Sequence, residues 1–155
     1  MAKVMQVNWR VRRGSAFRCR VHRGAEASVA PGCLVHAMVA WNGSTASTRA
    51  LHAALPLLRT ANAVSLLQQG AAYGGGNSPD ALAHLRAHDI LVSAMETVAG
   101  SDEAVSEQVL AYAGDTRADL IVMGASGGRR LGERCLGPTA STLAARSRLP
   151  VFLKF

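Results

Sequence analysis

Cysteine is scarce in this chain, and its spacing does not suit metal chemistry. Cys19, Cys33 and Cys135 are the three cysteines. There is no CxxC pair and no Cys/His cluster with ligand spacing, so neither a zinc finger nor a dithiol redox motif is expected. An odd number of widely separated thiols reads as reduced cysteine in a cytoplasmic protein. Aromatic residues are few, at 5%, and charged residues make up 17% against 49% hydrophobic. A chain so poor in charge and so apolar is not disordered as a whole. Long apolar runs are missing too: nothing approaches the roughly 18 residues of a membrane-spanning helix. The start, MAKVMQVNWRVRRGSAFRCR, lacks the apolar stretch of a secretory signal.

Acid is what the first 32 residues lack. They hold Lys3, Arg10, Arg12, Arg13, Arg18, Arg20 and Arg23 against Glu26 alone. The remainder holds 10 basic and 9 acidic side chains, so +6 of the net charge of +7 belongs to the leader and the rest of the chain is nearly neutral. Such an arm can touch nucleic acid or anionic lipid, and its Arg richness matches an organellar transit segment. The plainer reading is a basic, poorly ordered extension over residues 1–32 ahead of one domain over residues 33–155. No membrane or nucleic-acid partner is expected of that domain.

From residue 33 onward, apolar runs alternate with helical patterns. Leu34 to Trp41 (LVHAMVAW) reads as a buried strand, and Asn42-Gly43 as a turn. Ser44 can cap a helix that carries Ala50, Leu51, Ala54, Leu55 and Leu58 on one side. Pro56 lies inside that pattern, where it removes one backbone bond and bends the last turn. Ala63 to Gln69 is a second strand, and Ser78-Pro79 a cap and first-turn proline for a helix to about Ala87. Asp89 to Thr97 is a third strand. Ser101 caps the next helix, with Asp102 and Glu103 placed well for its dipole. Ala118 to Met123 is a fourth strand, a helix follows over Pro138 to Ser147, and Pro150 to Phe155 closes the chain as a fifth. This order implies an α/β fold: a five-stranded, mostly parallel sheet with helices on both faces. In such sheets ligands bind beyond the carboxyl ends of the strands, where strand order reverses.

Chemistry-bearing residues outside one loop are weak. His22, His36, His52, His84 and His88 are scattered. His84 and His88 stand four apart on one helix, a ligand spacing, but no carboxylate or cysteine completes a set nearby, so surface or capping roles are expected and no metal site. Ser126 has neither a partner histidine nor a GxSxG context. Glu133 reads as a solvated loop carboxylate. Met38, Met95 and Met123 read as core. No catalytic residue is expected.

The loop is GASGGRRLGERCLGPT, Gly124 to Thr139, between the fourth strand and the last helix. Gly127-Gly128 can adopt positive φ, and Gly137 opens a helix, so loop N–H groups and a helix N-terminus converge on one point. Ser126 and Thr139 add hydroxyls, and Arg129, Arg130 and Arg134 add charge. The loop is neither a Walker A loop nor GxGxxG.

Gly124-x2-Gly127-x9-Gly137, after a strand ending Val122-Met123-Gly124, resembles the nucleotide motif of the universal stress protein family. LVHAMVAWNGSTASTRALHAALPLL resembles that family's first strand and helix, and LPVFLKF its closing strand. The resemblance covers about residues 33–155, and residues 1–32 are a candidate remnant of a preceding family repeat. It implies a Rossmann-like fold of the adenine nucleotide alpha hydrolase type. It implies ATP, or another adenine nucleotide, bordered by Ala40, Asn42 and Gln69. Met123, Gly124, Gly127, Gly128 and Arg129 would form the first half of a phosphate cradle, and Gly137, Pro138 and Thr139 the second. It further implies a cytoplasmic stress-response regulator rather than a fast enzyme, and a homodimer formed through the C-terminal strand. The alternatives are a nucleotide-free dimerising interaction module and a slow ATP hydrolase. Two positions depart from the family pattern: Asn42 stands where nucleotide-binding members carry Asp, and Pro138 where the motif has Ser or Thr. Pro138 deletes one N–H and one hydroxyl, each worth roughly 1.5–3 kcal/mol toward a charged group.

Overall fold

The fold was taken from a computed structural model. Backbone is described for residues 4–6, 17–20, 26–29, 34–70, 80–125, 129–130, 133–134 and 137–154, and side chains for 34–70, 80–125 and 137–154. The elements are β1 (Val4–Gln6), β2 (Phe17–Arg20), β3 (Glu26–Val29), β4 (His36–Trp41), α1 (Thr45–Leu58), β5 (Ala63–Gln69), α2 (Ala81–Ala87), β6 (Val92–Val98), α3 (Asp102–Asp115), β7 (Leu120–Gly124), β8 (Arg129–Arg130), β9 (Glu133–Arg134), α4 (Pro138–Arg146) and β10 (Val151–Lys154).

Six strands form the main sheet in the order β1-β10-β7-β4-β5-β6, and every pairing is parallel. The five expected strands are its core. The sixth is β1, drawn from the leader. Two short antiparallel ladders, β2-β3 and β8-β9, form separate two-stranded sheets. Among the described residues no helix is long and apolar enough to cross a membrane.

Strand alternation sorts the core into two layers. Ala37, Val39 and Trp41 of β4, with Leu120 and Val122 of β7 and Phe152 of β10, pack with α1 and α2. Met38, Ile121, Met123, Val151 and Leu153 pack with α3 and α4 on the other face. Each such side chain contributes roughly 1.5–3 kcal/mol of transfer free energy when fully buried.

Local sequence explains the helix boundaries. Ser44 and Ser101 cap α1 and α3, accepting from Ser47 N–H at 3.1 Å and Ala104 N–H at 3.4 Å. α2 is capped by Asp80, which accepts from Leu82 and Ala83 N–H at 2.9 and 3.2 Å; the expected Ser78-Pro79 lies outside the described residues. α1 continues through Pro56 to Leu58, because Leu57 and Leu58 are buried to 2% and 1% exposure. The third core strand starts later than its apolar run suggested. Asp89 takes a left-handed φ of 61°, and Ile90 N–H returns to Leu85 C=O at 3.0 Å. Those residues close α2, so pairing begins only at Val92. β6 is an edge strand, and Met95 on it is 54% exposed, against the expectation of a core methionine. Met38 and Met123 are buried at 0% and 7%.

Candidate functional site

The chain leaves β4 toward β5 and β6, then returns through α3 to β7 on the other side of β4. The reversal lies between β4 and β7, and a cleft opens beyond their carboxyl ends. Ala40, Trp41 and Asn42 border it from β4, Leu67 and Gln69 from β5, and Met123 and Gly124 from β7. Val98, Asp102, Val105 and Val109 form the wall on the β6–α3 side. Gly137, Pro138, Thr139 and Ala140 bring the first turn of α4 to the rim beside α3.

Eight residues expected at a nucleotide site therefore meet in one cleft: Ala40, Asn42, Gln69, Met123, Gly124, Gly137, Pro138 and Thr139. Gly127 and Gly128 lie outside the described residues. Arg129 begins β8, whose backbone pairs with β9 at Arg134.

The glycine at the end of β7 has a packing role. A Cβ on Gly124 would lie 2.4 Å from Ser47 N and 2.5 Å from Ala46 C, both backbone atoms of α1. No side chain fits there, so the strand end and the first turn of α1 are in direct backbone contact.

Asn42 closes the β4–α1 turn. Its side-chain oxygen accepts from Ser44 N–H at 3.1 Å, and Gly43 follows with φ of 73°. That bond fixes the amide orientation. The oxygen is engaged within the turn, leaving the NH2 group as the free polar face of Asn42. A donor suits a ribose or phosphate oxygen and does not suit a cation.

α4 presents the opposite arrangement. Gly137 supplies no side-chain cap, and Pro138 at the first position has no N–H. Ser141 N–H returns to Gly137 C=O at 2.8 Å. Among the described residues the N–H groups of Thr139 and Ala140 have no partner, and they sit where the helix dipole favours an anion. Thr139 Oγ1 donates instead to Asp102 Oδ1 at 3.2 Å. Its single proton is thus committed, and an exposed carboxylate stands at the same rim.

Sequence reading missed Trp41, Leu67, Val98, Asp102, Val105, Val109 and Ala140. Asp102 had a usable signal, since it opens a helix just past a strand end. The apolar residues were legible only as core. One turn along α3 from Val109, Tyr112 is 9% exposed, and its hydroxyl has no hydrogen-bond partner. Burial first, then the Glu96 carboxylate, push its pKa up; the nearby Ser65 hydroxyl offsets part of this without reaching hydrogen-bond geometry. Tyr112 does not line the cleft.

The histidines divide. His36 is structural: Asp119 Oδ2 accepts from Val35 and His36 N–H at 3.0 and 2.9 Å, and the His36 ring Nδ1 lies 2.7 Å from Thr116 C=O. His84 and His88 are joined by His52 on the helix layer of the opposite face.

The family described as the Universal stress protein family matches residues 36–153. Among solved structures, the hypothetical protein MJ0577 superposes with a TM-score of 0.59 at 18% identity, covering 78% of this chain and 95% of its own. A universal stress protein in complex with cAMP gives 0.58 at 20% identity, covering 79% and 97%. The universal stress protein UspA from Lactobacillus plantarum gives 0.55 at 17% identity, covering 79% and 98%. At these identities the likeness is one of fold. No curated protein matches the sequence.

Proposed function

Because the chain belongs to the universal stress protein family, we propose that the β4–β7 cleft binds an adenine nucleotide, ATP in first place, and that the protein is a cytoplasmic stress-response regulator rather than a fast enzyme. The observation that carries this reading is the α4 N-terminus. It is uncapped and aimed into a cleft at the topological switch point. Trp41, Leu67, Val98, Val105 and Val109 offer an apolar wall for a base, and the Asn42 amide a donor for a ribose oxygen. The enclosed space is about 100 Å³, below the roughly 300–1,000 Å³ of many small-molecule clefts. A nucleotide would therefore be only partly enclosed, with its phosphates over the open rim of α4. The cAMP complex of a related fold supports an adenine ligand.

No activated nucleophile or base faces the described part of the cleft, which argues for binding over turnover. Equilibrium dialysis of the folded protein against ATP, with AMP and cAMP in parallel, tests the reading. Absence of binding at millimolar nucleotide would sink it.

A nucleotide-free module that pairs through its last strand is the second reading. Pro138 and Asp102 favour it, since one removes an anion donor and the other places negative charge at the rim. Pairing through that strand meets an obstacle. β10 carries β1 on its outer edge, with Val4, Met5 and Gln6 opposite Val151, Phe152 and Leu153. A second copy would have to displace β1. Met5→Pro, which removes a ladder N–H from β1, is expected to raise self-association in sedimentation velocity. An unchanged sedimentation coefficient would count against dimerisation at this edge.

A further inference from the structure

Outside the cleft, the most concentrated chemistry is a group of three histidines on the helix layer of the opposite sheet face. His52 belongs to α1, His84 to α2, and His88 closes the carboxyl end of α2. Ring centroids are 4.8 Å apart for His84–His88, 6.1 Å for His52–His84 and 6.4 Å for His52–His88. One nitrogen from each ring lies within 4.8 Å of the other two. In the sequence only the pair four residues apart on α2 is visible. The third ring arrives from a different helix.

Among the described residues no carboxylate pairs with these rings. The neighbouring charge is positive: Arg59 Nε donates to His88 C=O at 3.4 Å, and its Nη2 lies 3.4 Å from His88 Nδ1. Neutral imidazole is the form that coordinates metals. Burial first, then His88 and His52, hold the pKa of His84 below its ordinary value. His52 is exposed and the other two rings are half-buried, so solvent ions reach them.

We propose that His52, His84 and His88 form a divalent transition-metal site, for Zn²⁺ in first place, with three imidazole nitrogens as ligands and the fourth position open to water. Tetrahedral coordination at Zn–N of about 2.0–2.1 Å places ligand nitrogens about 3.4 Å apart. Binding would draw the three nitrogens from within 4.8 Å of one another to that spacing. Neutral nitrogen ligands select Zn²⁺, Co²⁺, Ni²⁺ or Cu²⁺ over Mg²⁺ and Ca²⁺. A bound ion would tie α1 to α2, on the face away from the α3–α4 wall of the cleft. Arg59 opposes it by charge and must leave His88 Nδ1 if that atom is the ligand.

The test is a Co²⁺ titration of the full chain, followed by displacement with Zn²⁺. The expected result is one ion per chain with visible d–d bands and no near-ultraviolet thiolate charge-transfer band, which separates this site from the cysteines. At a hundredfold excess over Kd, Zn²⁺ should raise Tm by at least about 5 °C. His52→Ala and His84→Ala should each weaken binding by about tenfold or more, since even an outer-sphere partner of a metal ligand is worth 10–100-fold. Their metal-free melting should stay close to that of the parent. Arg59→Gln should tighten binding. The proposal is overturned by a flat titration, by a thiolate band, or by His52→Ala binding as tightly as the parent, which would reduce the feature to the α2 pair alone.

Discussion

α1 and α4 both begin at the rim of the cleft, and they use their first turns differently. At α1, Ser44 Oγ accepts from Ser47 N–H, Asn42 accepts from Ser44 N–H, and Gly124 presses against the backbone of Ala46 and Ser47. The Ser47 N–H is capped, and Ser47 itself is buried at 3% exposure. At α4, the cap is a glycine, the first helical residue is a proline, and Thr139 and Ala140 line the cleft. The first terminus is a structural joint. The second is left available at a cost in helix stability, since a capping side chain typically contributes about 0.5–2 kcal/mol. A ligand that supplies negative charge would replace the missing cap.

Gly124→Ala should have the largest effect, and it bears on the joint. Its Cβ would meet α1 backbone at 2.4 Å, where no rotamer gives relief. A loss of about 3 kcal/mol or more is expected in urea unfolding, with nucleotide binding lost only through the fold. If instead the variant kept its stability and lost binding, Gly124 would belong to the cradle alone.

Pro138→Ser addresses the open terminus. It restores one N–H and one hydroxyl, and each is worth roughly 1.5–3 kcal/mol toward a charged group. ATP affinity should rise at least about tenfold in dialysis or calorimetry while urea unfolding changes by under about 1 kcal/mol. An unchanged affinity would mean that no phosphate lies at α4.

Ser44→Ala is the counterpart at α1. About 1 kcal/mol of stability should be lost, with ATP affinity nearly constant, because this cap faces its own helix. A parallel fall in affinity would show that the two termini act together on the ligand.

Asp102→Asn should give the smallest effect. Replacing the carboxylate that accepts from Thr139 Oγ1 removes negative charge at the α4 rim and leaves an amide oxygen that can still accept that bond. ATP affinity should rise a few-fold at low ionic strength and converge with the parent in high salt, as exposed charges are screened. A gain that persists in high salt would show that the effect is not one of exposed charge.

Much of the joint was readable along the chain, because it is local. Ser44 and Ser101 cap their helices through bonds three residues long. Asn42-Gly43 turns where such dipeptides turn, and strand alternation in β4 and β7 sorts side chains between two faces. The resemblance to a nucleotide motif picked out eight of the cleft residues. The misreadings arose at a helix end and at a sheet edge. Asp89 and Ile90 look like strand but close α2, and Met95 looks like core but lies exposed on the edge strand β6.

The sequence by itself determined the fold class and the order of the five core strands and four helices. Helix caps, turn glycines and apolar periodicity act over three to seven residues, and each is written in the residues it governs. Only the tertiary structure decided which residues face one another across the fold. It set Asp102 against Thr139, ruled out a side chain at Gly124, brought His52 beside His84 and His88, and laid Val4–Gln6 along the last strand. Those contacts join residues remote in the chain. They follow from how parallel strands and their crossover helices are arranged in space, and no local pattern encodes them.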